Sequence, residues 1–237
     1  MKSKLFRCIV LAAGFAFISL GSLAESQNQQ KRIVSSFSQI SVSGGIDLYL
    51  TQGAQEQVMV EADDDLIDKI ITKVEGETLH IYIEKHTGWV WDWFQSRKVY
   101  VTFDDLTRLE ASAGADVAAN GAVNAETIRI SASSGSDVAF ERLFAQSVQL
   151  STSSGADAKI AGETRNLSAD ASSGSDLDCG DLIAQFVRAA TSSGADVVVY
   201  AIESLTANAS SGGDVLYKGN PKLKDIDESS GGEVEPY

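Results

Sequence analysis

The chain has almost no cysteine: two in 237 residues, Cys8 and Cys179. Cys8 falls in an N-terminal stretch that reads as a removable leader. The mature chain therefore holds one thiol and cannot form an intramolecular disulfide. Proline also occurs only twice, and so does histidine. His80 and His86 share no metal-ligand spacing with each other or with Cys179, and they belong to no recognisable catalytic triad. Both read as ordinary surface residues. Basic residues are few, 19 against 33 acidic ones. Lys2, Lys4 and Arg7 lie in the leader, which holds no acid, so the rest of the chain carries a charge of about −17. That sign argues against nucleic acid as a partner and against electrostatic docking on anionic lipid. No apolar run after residue 24 is long enough to cross a bilayer, and no phosphate loop or dinucleotide fingerprint is present.

The leader follows the export pattern. A positive start precedes the apolar stretch Ile9 to Leu20, and Ser22-Leu23-Ala24 offers a small-x-small cleavage site. Residues 1–24 are expected to be a signal peptide and 25–32 a flexible mature N-terminus. Residues 33–237 are expected to form one domain, irregular over 33–108 and regular over 109–237. The product is expected outside the cytoplasm: periplasmic, attached to the outer membrane or secreted.

Glycine, in contrast, is frequent, and seven glycines mark a repeat. The phrase Ser-Ser-Gly-x-Asp-Val recurs around Gly114, Gly135, Gly155, Gly174, Gly194, Gly212 and Gly231, at spacings of 21, 20, 19, 20, 18 and 19. A near-constant period in this range means stacked copies of one small unit. Counted from each glycine, positions −7, −5 and −3 are mostly apolar. Ile128, Ile130 and Ala132 are one such set, and Val148, Leu150 and Thr152 the next. Positions +3 and +5 resume the pattern, as in Val138 and Phe140. A step of two is strand period with one face buried. About twenty residues is too short for a helical crossover but fits one coil of a solenoid. The expected fold is an all-β, right-handed, single-stranded parallel β-helix with an irregular N-terminal β region, the hand following the usual chirality of parallel connections. Cys179 stands in the apolar +5 column and reads as a packing residue. In the last copy Lys224 and Glu228 replace apolar residues, as a polar end cap requires.

The outward columns are more telling. Position −2 is Ser in all seven copies; position +2 is Asp116, Asp137, Asp157, Asp176, Asp196, Asp214 and finally Glu233. Stacking turns the second column into a carboxylate ladder. Neighbours about 5 Å apart repel by about 1 kcal/mol in water and about 3 kcal/mol at an effective dielectric near 20. The expected compensation is hydrogen bonding from the corner serines and backbone N–H groups. The alternative is a row of sites for a divalent cation or a cationic ligand, with calcium as the candidate ion at the six aspartates Asp116 to Asp214 and no other cofactor implied. The calcium-binding β-roll repeat has a shorter period and denser glycine, so the likeness to it is weak.

Upstream, Ser43-Gly44-Gly45-Ile46-Asp47-Leu48 is a degenerate copy. Alternating segments follow at Val58–Val60, Leu79–Ile83 and Val99–Phe103. Asp63-Asp64-Asp65 before Leu66 to Ile70 predicts a capped short helix rather than a metal site. Every tryptophan falls in Trp89-Val90-Trp91-Asp92-Trp93-Phe94. This segment is either a hairpin packing its aromatics on the core or an exposed patch for a glycan, a partner protein or the outer membrane surface. Trp89, Trp91, Trp93 and Phe94 are the candidate binding residues.

The series Phe37 to Gly53, Val60-Glu61-Ala62-Asp63, Leu66-Ile67, Val74 to Ile81, Val99-Tyr100-Val101-Thr102 and the Ser-Ser-Gly-x-Asp copies resembles, in this order, the bacterial family described as putative auto-transporter adhesin, head GIN domain. The resemblance spans about residues 33–234. It implies a β-helical extracytoplasmic domain with an adhesion role and supplies no catalytic residues. No membrane-barrel translocator is expected after the repeats. The expected function is therefore a non-enzymatic binding or adhesion module of the cell envelope, with an envelope glycan or surface protein as partner. A polysaccharide-active enzyme using the acidic ladder and a divalent-cation-binding structural protein are the alternatives. The regularity of the repeat weighs against the enzyme, because a catalytic site normally breaks a repeat locally.

Overall fold

The computed structural model describes residues 28–84 and 96–237, and every regular element among them is a strand. Five long strands form the repeat: β9 (Asp116–Ser133), β10 (Asp137–Ser153), β11 (Asp157–Ser172), β12 (Asp176–Ser192) and β13 (Asp196–Ser210). Each runs from the aspartate after one corner to the serine before the next. Each pairs in parallel with the coil before and after, so that Val138 sits beside Val117 and Ala158, and Leu150 beside Ile130 and Ala169. The ladder slips midway, between Phe140 and Leu143 and between Lys159 and Ala161, where the strand bends. β14 (Asp214–Lys218), β15 (Leu223–Ser229) and β16 (Glu233–Pro236) finish the stack.

The apolar columns face inward as their period demands. From Ile128 onward, the −7, −5 and −3 residues of the interior coils are buried against the +3 and +5 residues of the opposite leg, Cys179 among them. At the C-terminal end the column turns polar. Lys224 donates to the Tyr217 hydroxyl at 3.0 Å, and Glu228 accepts from the Val234 N–H at 2.8 Å. Charges placed there obstruct edge-to-edge pairing with another sheet.

The corner is a two-residue turn. Both the residue before the glycine and the glycine itself are left-handed: Ser134 has φ 57° and Gly135 67°, and the other copies match. In several copies the N–H after the glycine donates to the carbonyl of the −2 serine, as Ala156 does to Ser153 at 3.3 Å and Gly232 to Ser229 at 3.0 Å. This is a type I′ turn, the two-residue form that needs φ > 0 at both central positions. Neighbouring corners are also tied together. Gly135 N–H donates forward to Ser154 O, and Asp137 N–H donates back to Ala115 O.

The degenerate copy is a true coil. β2 (Gln39–Ser43) and β3 (Asp47–Gln52) pair in parallel with β8 (Arg108–Ser112) and β9, and Gly45 N–H donates to Ala113 O at 3.0 Å. The intervening residues form β4 (Gln57–Ala62), β5 (Ile70–Glu75), β6 (Thr78–Ile83) and β7 (Arg97–Phe103). β6 and β7 pair in parallel with β2 and β3, and then β5, β4 and β1 (Asn28–Arg32) turn antiparallel. The helix expected at Leu66 to Ile70 does not form. Asp63 O and Leu66 O each accept two turn bonds, and at Ile70 the chain enters β5 opposite Ile83. Leu66, Ile67 and Ile70 are all buried, so core packing and the start of the strand leave room for turns only.

Candidate functional site

The carboxylate ladder is one row of the sheet made by the legs that leave the corners. Register places Asp47 beside Asp116, followed by Asp137, Asp157, Asp176, Asp196, Asp214 and Glu233. Asp47 thus extends the row by one coil across a gap of 69 residues. The signal for it was present: the Gly45 copy carries an acid at the same offset. Strand spacing sets the pitch at about 4.8 Å.

Beside the ladder runs the +4 row: Tyr49, Ala118, Ala139, Lys159 and Asp178. Two alanines in succession leave a shallow groove of about 510 Å³, with Asp47, Asp116, Asp137, Asp157 and Asp176 along one side. At one end the Tyr49 ring stacks on Tyr100, with centroids 5.1 Å apart and planes at 19°. At the other, Lys159 Nζ lies 3.2 Å from Asp178 Oδ2. At the tyrosine end Lys98 stands in register with Asp47, ends the ladder row and pairs with Glu61 at 3.4 Å.

The compensation expected for the ladder is missing. Asp116, Asp137, Asp157, Asp176 and Asp196 accept no side-chain hydrogen bond among the described residues; Asp214 takes one, from Glu233 N–H. The corner turn is the reason. It sends the −2 serines onto the other leg, where Ser133, Ser153, Ser172, Ser192 and Ser210 line a separate groove with Ser131 and Ser151. The electrostatics follow. Burial first, then the charges of Asp137 and Asp47, raise the Asp116 carboxyl above its ordinary range. Burial, then Asp157 and Asp196, does the same to Asp176. No group of three or more His, Cys, Asp or Glu among the described residues is arranged to hold a metal ion. The aspartates form a line rather than a cage.

Other candidates are placed as follows. Trp89, Trp91, Trp93, Phe94 and His86 lie outside the described residues, as do residues 1–27. His80 projects outward between buried Leu79 and Ile81, with Nε2 3.9 Å from Glu75. Cys179 is fully buried, and burial pushes its thiol pKa up, against any role as a nucleophile. On the side where the coils bend, Phe144, Ile183, Phe186 and Ile202 are each about 40% exposed. The Arg165 guanidinium lies 5.9 Å from the Phe186 ring centroid.

The fold is shared with solved bacterial proteins. A putative adhesin from Bacteroides fragilis NCTC 9343 superposes with a TM-score of 0.82 at 19% identity, over 90% of this chain and 98% of that one. A putative adhesin from Parabacteroides distasonis ATCC 8503 gives 0.72 at 18%, over 90% and 98%. A putative lipid binding protein from the same strain gives 0.68 at 19%, over 89% and 96%. Comparison with curated proteins gives no match. The family model for the putative auto-transporter adhesin, head GIN domain, covers residues 36–221, which takes in the degenerate Gly45 coil, the β4–β7 insertion and all the corners but the last. By that span of sequence, and with a solenoid to match, the chain belongs to this head GIN domain family.

Proposed function

We propose that the protein is a non-enzymatic, extracytoplasmic binding module of the bacterial envelope, and that its working face is the groove beside the carboxylate ladder. One observation carries the reading. A rigid parallel sheet presents five aspartates along a groove, and the fold itself neutralises none of Asp116, Asp137, Asp157 and Asp176. Lining carboxylates up at strand spacing costs stability. A partner that makes contact along the row recovers that cost. Family membership and the leader-like N-terminus support placement outside the cytoplasm. The unbroken repeat supports binding over catalysis.

The test is binding of the mature chain to envelope fractions, glycans and surface proteins separately. The double variant Asp137→Asn/Asp157→Asn should weaken binding about tenfold or more while keeping the wild-type circular dichroism spectrum. Unchanged binding would remove the groove from consideration. Trp91→Ala and Trp93→Ala form the parallel arm. Loss confined to them would move the working face to the segment between β6 and β7.

A further inference from the structure

We infer that the groove is built for an extended lysine- or arginine-rich polypeptide segment lying along the solenoid axis. The inference rests on the groove being the working face and names the occupant. Charge is the first argument. Among the described residues six carboxylates line the groove, five of them in the ladder, and the one cation lining it, Lys159, is engaged by the sixth, Asp178. A neutral or anionic occupant would strip water from acids it cannot pair, whereas a cationic one supplies the missing partners.

Shape is the second argument. Four strand steps from Asp47 to Asp176 span about 19 Å, far longer than any single ion. A calcium ion needs six to eight oxygens converging on one point, and the ladder offers a line. Same-side side chains of an extended chain repeat at about 6.6 Å, coarser than the ladder's pitch of about 4.8 Å, so each cationic side chain has a carboxylate within reach.

The floor is the third argument. Ala118 and Ala139 leave an apolar track beside the acids. Lysine and arginine carry aliphatic stems that lie on such a track while their heads reach charge. The stacked Tyr49 and Tyr100 rings at the end of the track offer a face to a terminal cation.

Titration calorimetry of the mature full chain with octalysine at low salt tests the inference. Binding should weaken about tenfold or more in Asp137→Asn/Asp157→Asn. It should change less than about twofold in Asp225→Asn/Asp227→Asn, which removes the same charge from β15, outside the groove. Tyr49→Ala should cost about two- to fivefold. Equal loss in the two double variants would reduce the effect to net charge and overturn the inference, as would absence of octalysine binding. A glucosamine oligomer that binds tighter than octalysine with the same dependence on Asp137 and Asp157 would overturn the polypeptide occupant and leave the working face standing. Envelope binding insensitive to the ladder variants would instead overturn the working face itself.

Discussion

Two glycines in neighbouring coils have different jobs, and substitution separates them. Gly135 sits at a corner with φ +67°, and a Cβ built there meets nothing within 4 Å. Its role is backbone conformation, so Gly135→Ala should cost about 1–2 kcal/mol, the ordinary penalty for a left-handed residue. Gly162 lies at the mid-coil bend, and a Cβ there would stand 2.0 Å from Leu143 O of the preceding coil. Its role is close approach between backbones, so Gly162→Ala should cost about 4 kcal/mol or more, because neither coil can move alone. Urea denaturation of both variants checks the order; equal losses would refute the distinction. The corners show why the sequence alone described them incompletely. Each holds a second left-handed residue, Ala113 or a serine such as Ser134 or Ser154, with φ between 51° and 59°. Serine, unlike glycine, does not announce that conformation. A glycine plus an exposed neighbour looks locally like any loop.

At the scale of the strand and its corner, the +1 column ties one coil to the one before. Ala115, Ser136, Ala156, Ser175, Ala195, Gly213 and Gly232 fill it, and all are buried. Ser175 Oγ lies 3.0 Å from Thr152 Oγ1, and Ser136 donates to Ala111 O at 3.1 Å. Thr191 occupies the place equivalent to Thr152, but the residue facing it is Gly213, and its buried hydroxyl finds no partner among the described residues. Thr191→Val should therefore be neutral or stabilising, up to about 1 kcal/mol. Thr152→Val should destabilise by about 0.5–1 kcal/mol, since the hydroxyl bond to Ser175 is lost while Ser175 keeps Ser172 O at 2.9 Å. Thermal melts of the two variants check this, and a loss at Thr191 matching that at Thr152 would sink the account. The restriction of this column to Ala, Ser and Gly was readable in the sequence. No period of two marks it, because the bend breaks the alternation just there. The columns on either side, Ile128-Ile130-Ala132 and Val138-Phe140, were legible because nothing interrupts their period of two.

Taken whole, the molecule is a stack in which local pattern fixes the coil and stacking fixes everything outside it. That division sets what could be read in advance. Coil length, inward faces and the polar cap at Lys224 and Glu228 follow from local periodicity. The pairing of β3 with β9 joins residues about 70 positions apart across the β4–β7 insertion, so only the degenerate Gly45 copy, and no local period, points to it. The electrostatic state of the ladder departs from the local pattern for a related reason. Ser133 and Asp137 are near in sequence, but the turn between them puts them in different grooves. The ladder acids are consequently left to one another and to burial, and this fixes how stability depends on pH. Asp116 and Asp176 have carboxyl pKa values raised from the ordinary 3.8, so the folded chain holds those protons more tightly than the unfolded chain. Their effect on stability is then lost as pH rises from 3.8 through the raised values, and the repulsion persists at neutral pH. Asp116→Asn and Asp176→Asn should raise Tm near pH 7 at low salt, and the gain should vanish below 3.8, where both wild-type acids are protonated. Melting curves of wild type and variants across that range decide it. A gain independent of pH would mean that packing, not charge, limits this face, and a lower Tm at pH 7 would mean that the ladder is compensated after all.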